Sequence, residues 1–290
     1  MKFLKLSKFL VLLLLTVAIL TGCGNAKEKP TANAAQEHAK VIMLNIGQGD
    51  SMLIQAGGKN ILVDASKIDT RKDLLGKLKK YNVQQLDLVI ATHPHEDHIG
   101  GMDAVFNNLP VKEVYDPGAP SSSKLFLNYL NKIKEKKIKF TVPTAGSKYE
   151  LGSGVYLEFF TPLKPLVGEG ANNVSLVFKL TDGKSSMLFT GDIEQPVEAA
   201  LVSKYGAKLQ SDILKAPHHA SKTSSSQEFL NAVKAKDVLI SCGENNDYKH
   251  PHQSVMNRYN EAKMQIYITY EKGDISVSFT AKGYKISTEK

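Results

Sequence analysis

The stretch T-H-P-H-E-D-H-I-G-G, residues 92–101, follows directly on the apolar run L-D-L-V-I-A, residues 86–91. That run is short, partly β-branched and bounded by polar residues, which predicts a buried strand. The histidines and carboxylates that follow then lie where the strand ends and a loop begins, the usual place for chemistry on a layered α/β scaffold. Imidazole and carboxylate are ligands that zinc, manganese and iron accept. The stretch therefore predicts a metal centre, the alternative being a polar turn with solvated histidines.

The spacing of these side chains indicates two metal ions. Alternate residues of an extended loop point the same way, so His93 and His95 can share one ion. Asp97 and His98 can reach a second ion about 3.5–4 Å away, the separation found in two-metal hydrolases. Asp192 ends the apolar strand of residues 186–190 and is the predicted bridge between the ions. Its alternative role is a helix N-cap.

A histidine pair later in the chain is the next candidate. His218 and His219 end another predicted strand, residues 212–216. We expect His219 to complete the second metal and His218 to face the substrate, although the reverse assignment and packing of both rings under a loop stay open. No other histidine lies between His98 and this pair.

The H-x-H-x-D-H pattern after a strand resembles the signature of the metallo-β-lactamase superfamily. Four further stretches resemble its competence-protein (ComEC-like) branch: N-I-G-Q-G-D-S (45–51), N-N-V-S-L-V (172–177), L-F-T-G-D (188–192) and L-K-A-P-H-H-A-S-K-T-S (214–224). The resemblance covers residues 40 to 285. The residues alone predict an α/β fold with two sheets; the resemblance implies a four-layer αββα metallo-β-lactamase sandwich. It also implies a metal-dependent hydrolase, from a branch whose domain is believed to act as a nuclease on DNA.

The ligands expected for the first metal differ from those of the wider superfamily. Many members place a histidine ligand in the interval where this chain has none, and the branch has an Asn/Ser motif there, matched by Asn172 and Ser175. The resemblance thus implies a first metal held by His93, His95 and Asp192, completed by water or a weak amide or hydroxyl oxygen. Oxygen-rich ligation moves the preference from zinc towards manganese. We therefore expect two divalent ions, Zn or Mn.

Several other positions are candidates for contacts around the centre. Asn172, Ser175, Lys222 and His250 are predicted to bind substrate, with turn chemistry, helix capping and a surface loop as their alternatives. Asp64 ends a predicted strand, where a carboxylate has two ordinary roles: to hydrogen-bond a ligand histidine or to order its own turn. Asp50 is expected to order its loop.

The first residues predict where in the cell the protein is located. Lys2, Lys5 and Lys8 precede an apolar core, residues 9–20, that is short for a membrane span. The stretch L-T-G-C, residues 20–23, resembles a bacterial lipobox, which implies lipidation of Cys23. We expect a signal peptide at 1–22, a flexible tether at 23–39 and a hydrolase domain at 40–290. The alternatives are an ordinary signal peptide or an uncleaved anchor. The mature protein would be extracytoplasmic and lipid-anchored to the bacterial cell membrane.

Charge and cysteine content constrain the function only weakly. The net charge of +8 becomes +5 without the signal peptide, 34 basic minus 29 acidic residues. This balance is compatible with a phosphate-rich substrate or an anionic surface. With Cys23 lipidated, Cys242 has no disulfide partner, and it is expected to be a small buried residue. No protein partner can be inferred.

These observations predict a hydrolase of phosphodiesters, with DNA as one candidate substrate. Bound metal lowers the pKa of a coordinated water to about 7, and the resulting hydroxide attacks phosphorus. Asp97 and Asp192 are expected to position it, and His218 to stabilise the charged transition state. The alternatives are hydrolysis of another ester (a phosphorylcholine ester, lactone, thioester or β-lactam) and a catalytically inactive binding lipoprotein.

Overall fold

A computed structural model describes residues 37–164 and 168–290. The predicted signal peptide, Cys23 and most of the predicted tether lie outside the described residues. The strands are β1 (Glu37–Met43), β2 (Met52–Ala56), β3 (Lys59–Val63), β4 (Leu88–Ile90), β5 (Glu113–Tyr115), β6 (Lys139–Thr141), β7 (Lys148–Gly152), β8 (Val155–Phe159), β9 (Phe178–Asp182), β10 (Ser185–Phe189), β11 (Ile213–Lys215), β12 (Asp237–Ile240), β13 (Gln265–Ile268), β14 (Ile275–Thr280) and β15 (Gly283–Thr288).

The helices are α1 (Arg71–Lys80), α2 (Glu96–Ile99), α3 (Met102–Asn108), α4 (Lys124–Glu135), α5 (Gln195–Tyr205), α6 (Gln227–Val233), α7 (Gln253–Glu261) and α8 (Thr269–Lys272). Short 3-10 turns occupy Ala171–Val174, Gly206–Leu209 and Pro217–Ala220. The amino-acid sequence predicts helices at residues 71–81, 123–136, 195–205 and 252–262, and the structure has α1, α4, α5 and α7 there with bounds that agree within two residues. Local signals explain this agreement, because α4 repeats apolar residues at helical spacing and Ser123 caps it by accepting the N–H of Phe126.

The strands form two sheets. The first has the order β15-β14-β1-β2-β3-β4-β5-β6 and the second the order β13-β12-β11-β10-β9-β8-β7. In both sheets the strands that precede the candidate residues run parallel to a neighbour: β3 pairs with β4, β10 with β11, and β11 with β12.

Three layers of apolar side chains hold the sheets and helices together. The central layer joins residues of both sheets, such as Met43 and Ile90 from the first and Phe178 and Phe189 from the second. One outer layer packs α1, α3 and α4 on the first sheet, and the other packs α5, α6 and α7 on the second. This is the four-layer αββα sandwich that the resemblance implied, and that prediction is confirmed.

The structure differs from the sequence predictions in three places. Glu37, His38 and Ala39 belong to β1 rather than to the tether, because Ala39 is buried and pairs with both neighbouring strands. The predicted extended loop after β4 closes at once into α2, with His95 at its N-cap position. The apolar residues of 175–180 predict a strand from residue 175, but the observed strand β9 begins only at Phe178. Among the described residues, no helix combines the length and apolarity that a membrane crossing needs.

Candidate metal centre

The candidate residues follow the carboxyl ends of strands from both sheets. His93 follows β4, Asp192 follows β10 and His219 follows β11, while Asp64 follows β3 directly. Carboxyl ends of neighbouring parallel strands share an edge of the sheet, so the sandwich brings these loops together. Residues separated by more than a hundred positions in sequence therefore meet at one site.

Four buried side chains form the centre of this site: Asp50, His98, Asp192 and His219. One ligand atom from each lies within 4.8 Å of the others. Asp97 adjoins them, with its Oδ2 3.2 Å from His219 Nε2 and 3.9 Å from His98 Nε2. We call these five residues the metal cluster.

Hydrogen bonds on the far side of each ring orient the two cluster histidines. The backbone carbonyl of Ser241 accepts a hydrogen bond from His219 Nδ1 at 2.7 Å, so the proton of that ring lies on Nδ1. The Asp64 carboxylate lies 2.7 Å from His98 Nδ1 and favours the same tautomer. Both Nε2 lone pairs then face Asp192 Oδ2, at 3.2 Å from His98 and 3.5 Å from His219. Such partners are those that orient a ligand histidine.

A second pair of ring nitrogens lies beside the metal cluster. His93 Nε2 and His95 Nδ1 are 3.1 Å apart, and His93 Nε2 is 4.0 Å from the same Asp192 Oδ2. One oxygen of Asp192 thus faces His93 on one side and His98 and His219 on the other, the placement a bridging ligand needs. His93 is buried and His95 is exposed, so this side of the site is open to solvent.

Sequence reasoning missed the role of a buried lysine and undervalued Asp50. Lys215 Nζ donates to the Gly191 carbonyl at 3.0 Å, lies 3.4 Å from Asp192 Oδ1, and forms an ion pair with Asp50 Oδ2. Lys215 is only 2 % exposed. The available signal was a lysine on an otherwise apolar strand, since long cations are buried almost only when paired.

The charges of the metal cluster compensate one another. Burial alone would lower the pKa of His98, but the Asp192 and Asp64 carboxylates hold it well above its usual range. Burial likewise opposes the charge of His219, and Asp192 and Asp50 raise its pKa. Burial would raise the pKa of Asp192, but His98, His219 and Lys215 hold it well below its usual range. The carboxylates therefore stabilise positive charge at this site. A bound divalent cation would supply that charge in place of the protons on the histidine rings.

Two oxygens at the site also fit a cation. Among the described residues, Asp50 Oδ1 and Asn172 Oδ1 are buried without a hydrogen-bond partner. A buried oxygen without a donor is costly, and a bound ion or an ordered water would satisfy it. Together with the convergent Nε2 atoms, these oxygens show that the donor set fits divalent metal.

Backbone conformation at the site is unusual. His218 and His219 have φ of +50° and +53°, and Asp64 has φ of +58°, values that non-glycine residues seldom adopt. Gly191 has φ of +50°, and a Cβ there would lie 2.7 Å from Ser175 Cβ and 3.1 Å from Thr92 Cβ. Strained residues of this kind cluster at functional sites.

The remaining predicted residues lie at different depths around the metal cluster. His218 is outside it, with Nδ1 3.1 Å from Thr223 Oγ1 and Nε2 3.5 Å from Asn172 Nδ2. Burial lowers the pKa of His218, which keeps its ring neutral. Ser175 is fully buried, and its hydroxyl accepts the backbone N–H of Asp192 at 3.0 Å. Ser175 thus holds the backbone that carries Asp192.

Two predicted substrate contacts lie at the rim of the site. Lys222 is exposed, and its backbone N–H donates to His252 Nδ1. His250 is only 9 % exposed, and its ring is stacked on that of His219 with centroids 5.9 Å apart. Burial and the neighbouring His219 and His218 lower the pKa of His250 to about 3. His250 therefore packs beside the metal cluster instead of lying in a free surface loop.

Comparison with known proteins agrees with this geometry. The model of the Metallo-beta-lactamase superfamily matches residues 44–244. This chain belongs to the metallo-beta-lactamase superfamily. Its fold and its buried group of aspartates and histidines, which could bind metal, are those of a superfamily metallo-hydrolase.

Within the superfamily, the chain is similar to the competence-protein branch. It is 29% identical over 269 residues to Competence protein ComA of Neisseria gonorrhoeae, covering 92% of this chain and 36% of that protein. It is 28% identical over 260 residues to ComE operon protein 3 of Bacillus subtilis (strain 168), covering 83% of this chain and 33% of that protein. It is also 31% identical over 270 residues to Uncharacterized protein YcaI of Escherichia coli (strain K12), covering 92% and 33%. The chain thus spans about a third of these relatives' length.

Solved structures share the fold at low sequence identity. The metallo-beta-lactamase fold protein YhfI from Bacillus subtilis has a TM-score of 0.55 at 14% identity, covering 83% of this chain and 100% of that one. CmlA, a diiron beta-hydroxylase from Streptomyces venezuelae, has a TM-score of 0.55 at 12% identity, covering 84% and 54%. At these identities the likeness concerns the fold alone.

Proposed function

We propose that this protein is a metal-dependent phosphodiesterase that cleaves nucleic acid. The observation that carries the proposal is the position of Asp192 Oδ2, which faces His98 and His219 on one side and His93 on the other. Two ions that share a carboxylate stabilise both the attacking and the leaving oxygen of a phosphoryl displacement. Nucleic acid is the phosphodiester we favour because the chain is similar to Competence protein ComA, from the branch whose domain is believed to act as a nuclease on DNA.

We propose that two sets of residues hold the ions. Asp97, His98, Asp192 and His219 would hold one, with an oxygen of Asp50 within reach of it, and His93, His95 and Asp192 the other. Bound divalent metal supplies Lewis acidity and an attacking water that is deprotonated near neutral pH. Zinc and manganese both fit nitrogen and oxygen donors of this kind.

The chain's own side chains would then do the following. Asp97 is the partly exposed carboxylate of the metal cluster, with 22% of its side chain accessible, so it can orient the attacking water by accepting a hydrogen bond from it. Neighbouring His98 and His219 outweigh the effect of burial and keep the pKa of Asp97 low, which keeps it anionic. His218 is neutral and 21% accessible at the rim. It would donate a hydrogen bond to a phosphate oxygen as charge builds up there.

The proposed location rests on the sequence of the first residues. A signal peptide at 1–22 and lipidation of Cys23 would anchor the protein outside the cytoplasm on the bacterial cell membrane. Two acyl chains suffice for stable anchoring. Cell fractionation of a Cys23→Ala variant would test the lipid anchor. We expect this variant to lose its association with the membrane, and retention at the membrane would contradict the anchor.

The function is tested with the purified full chain on bis-p-nitrophenyl phosphate, plasmid DNA and single-stranded DNA. Each substrate is incubated with manganese, zinc or magnesium, or with a chelator. A His95→Ala/Asp97→Ala double variant removes one ligand from each of the two proposed metal sites. A Glu96→Ala variant is the matched control, because Glu96 is an exposed carboxylate in the same loop.

We expect metal-dependent cleavage by the wild type and by Glu96→Ala, and none by the double variant. Cleavage of the small diester without cleavage of DNA would restrict the function to another phosphodiester. Failure on every substrate, with metal bound, would refute phosphodiester hydrolysis and favour a lactone, thioester or β-lactam.

A further inference from the structure

Tyr248 is the most exposed large hydrophobic side chain among the described residues, at 57%. A single exposed tyrosine needs no explanation in itself. This one, however, lies beside the metal cluster, and its ring is stacked on that of His250 with centroids 5.7 Å apart and planes 20° apart. The His250 ring therefore flanks the Tyr248 ring in a nearly parallel orientation, and more than half of the Tyr248 side chain stays accessible to solvent.

The stacking continues inward to the metal cluster. The rings of His250 and His219 have centroids 5.9 Å apart and planes 22° apart. Tyr248, His250 and His219 thus form a ladder of three roughly parallel rings, which we call the ring ladder. Its inner end is a cluster histidine, and its outer end is an open aromatic face.

The turn that carries Tyr248 is held in place by one side chain. Asn246 donates from Nδ2 to the carbonyls of His250 at 2.6 Å and Gly243 at 2.9 Å, and its Oδ1 accepts the N–H of His250 at 3.0 Å. These bonds close the turn on both sides of Tyr248. The exposed face is therefore built into the loop before any ligand arrives, which lowers the entropic cost of binding.

Exposed charges of both signs lie near the ring ladder. Asp247 precedes Tyr248 in the chain and Lys249 follows it, and both are exposed, as is Glu244 earlier in the loop. Lys222 is exposed, and its backbone N–H bonds to His252, two residues beyond His250. Single-stranded nucleic acid is bound by this combination of cations for the phosphates and an aromatic face for the bases.

We propose that the open face of Tyr248 stacks a nucleobase of the strand that is cleaved at the metal cluster. This inference rests on the proposed function and adds to it a subsite for the base. Two ring spacings separate Tyr248 from His219, so the stacked base belongs to a nucleotide flanking the scissile phosphate. Every base has a π-face, so this contact favours single strands without selecting sequence.

The test uses the fluorescence of a single introduced tryptophan, because the chain contains no tryptophan. Tyr248→Trp, treated with chelator so that nothing is cleaved, is titrated with a short oligo(dT) and with an abasic oligonucleotide of equal length. The matched control is Phe140→Trp, because Phe140 is a 40% exposed aromatic residue on the edge strand β6. In parallel, the Kd of labelled oligo(dT) is measured for the wild type, Tyr248→Phe and Tyr248→Ala.

We expect saturable quenching of Tyr248→Trp by oligo(dT), none by the abasic strand, and none of Phe140→Trp by either. We expect Tyr248→Ala to bind oligo(dT) roughly fivefold to a hundredfold more weakly, and Tyr248→Phe to bind like the wild type. Equal quenching by both strands, no quenching, or unchanged affinity in Tyr248→Ala would overturn the inference. Because no step needs catalysis, these outcomes are separate from failure of the wild type to hydrolyse diesters, which refutes the proposed function instead.

Discussion

Replacing Asp64 by asparagine tests how the site sets the chemistry of His98. The Asp64 carboxylate accepts three hydrogen bonds: from the Thr92 N–H at 2.8 Å, from the Thr92 hydroxyl at 2.7 Å and from His98 Nδ1 at 2.7 Å. An asparagine can keep the backbone bond only with its oxygen on that side, because the opposite flip opposes two N–H donors. Its NH2 group then faces His98 Nδ1 and donates to it, which moves the ring proton to Nε2. That is the atom that faces Asp192.

A protonated Nε2 cannot bind metal, so metal affinity should fall. Losing such an orienting partner typically weakens metal binding 10- to 100-fold, or about 1.4 to 2.8 kcal/mol. The assay is competition between the metal-free protein and a chromophoric chelator for zinc and manganese. The control is Asp116→Asn, because Asp116 is also buried, at 3% exposure, and also accepts a backbone N–H, from Gly118, and a hydroxyl, from Tyr129.

Asp116→Asn should bind metal like the wild type, and Asp64→Asn should bind it at least about tenfold more weakly. Wild-type metal affinity in both variants would refute the assigned orientation of His98. An equal loss of metal affinity in both variants would mean that the loss is a general cost of replacing a buried aspartate.

Three further predictions concern the stability of the metal-free protein, measured by urea unfolding in chelator. Lys215→Met leaves buried carboxylates without their partner and should lower the free energy of unfolding by about 3–5 kcal/mol. The control Lys236→Met breaks only a solvent-accessible pair with Asp212 and should lower it by less than about 1 kcal/mol. Similar losses in the two variants would contradict the role of Lys215. Gly191→Ala should cost about 1–3 kcal/mol more than Gly183→Ala, because both have positive φ but only at Gly191 does the new Cβ meet other atoms. Burial raises the pKa of Asp116 from 3.8 to about 6, so the folded state binds that proton more tightly. Its contribution is present at low pH and is lost as the pH rises from 3.8 through about 6, and the asparagine variant should lack this decline.

Features with a local signal were predictable from the sequence. The alternation of strands and helices follows from apolar spacing and from caps such as Ser123. The residues of the H-x-H-x-D-H stretch and Asp192 are recognisable because each follows an apolar strand directly. The structure of these features depends on residues that are neighbours in the sequence, so a single amino-acid sequence is enough to predict them.

Features that depend on contacts between distant loops were not predictable. Asp50 lies in an early loop, and at the site it pairs with Lys215, which is 165 positions later in the chain. The stacking of His250 on His219 is also invisible in sequence, because it depends on how the loop after β12 folds back. The roles proposed for the individual site residues remain predictions.

The most direct test of the central claim measures metal content and DNA cleavage in the same samples. Metal-free protein receives increasing manganese or zinc, and bound metal is counted while cleavage of single-stranded DNA is followed. Asp192→Asn is treated identically, because Asp192 is the residue that both proposed ions share. The account predicts that the cleavage rate rises with bound metal in the wild type and is lost in Asp192→Asn. Cleavage without bound metal, or a fully loaded wild type that leaves DNA intact, would contradict it.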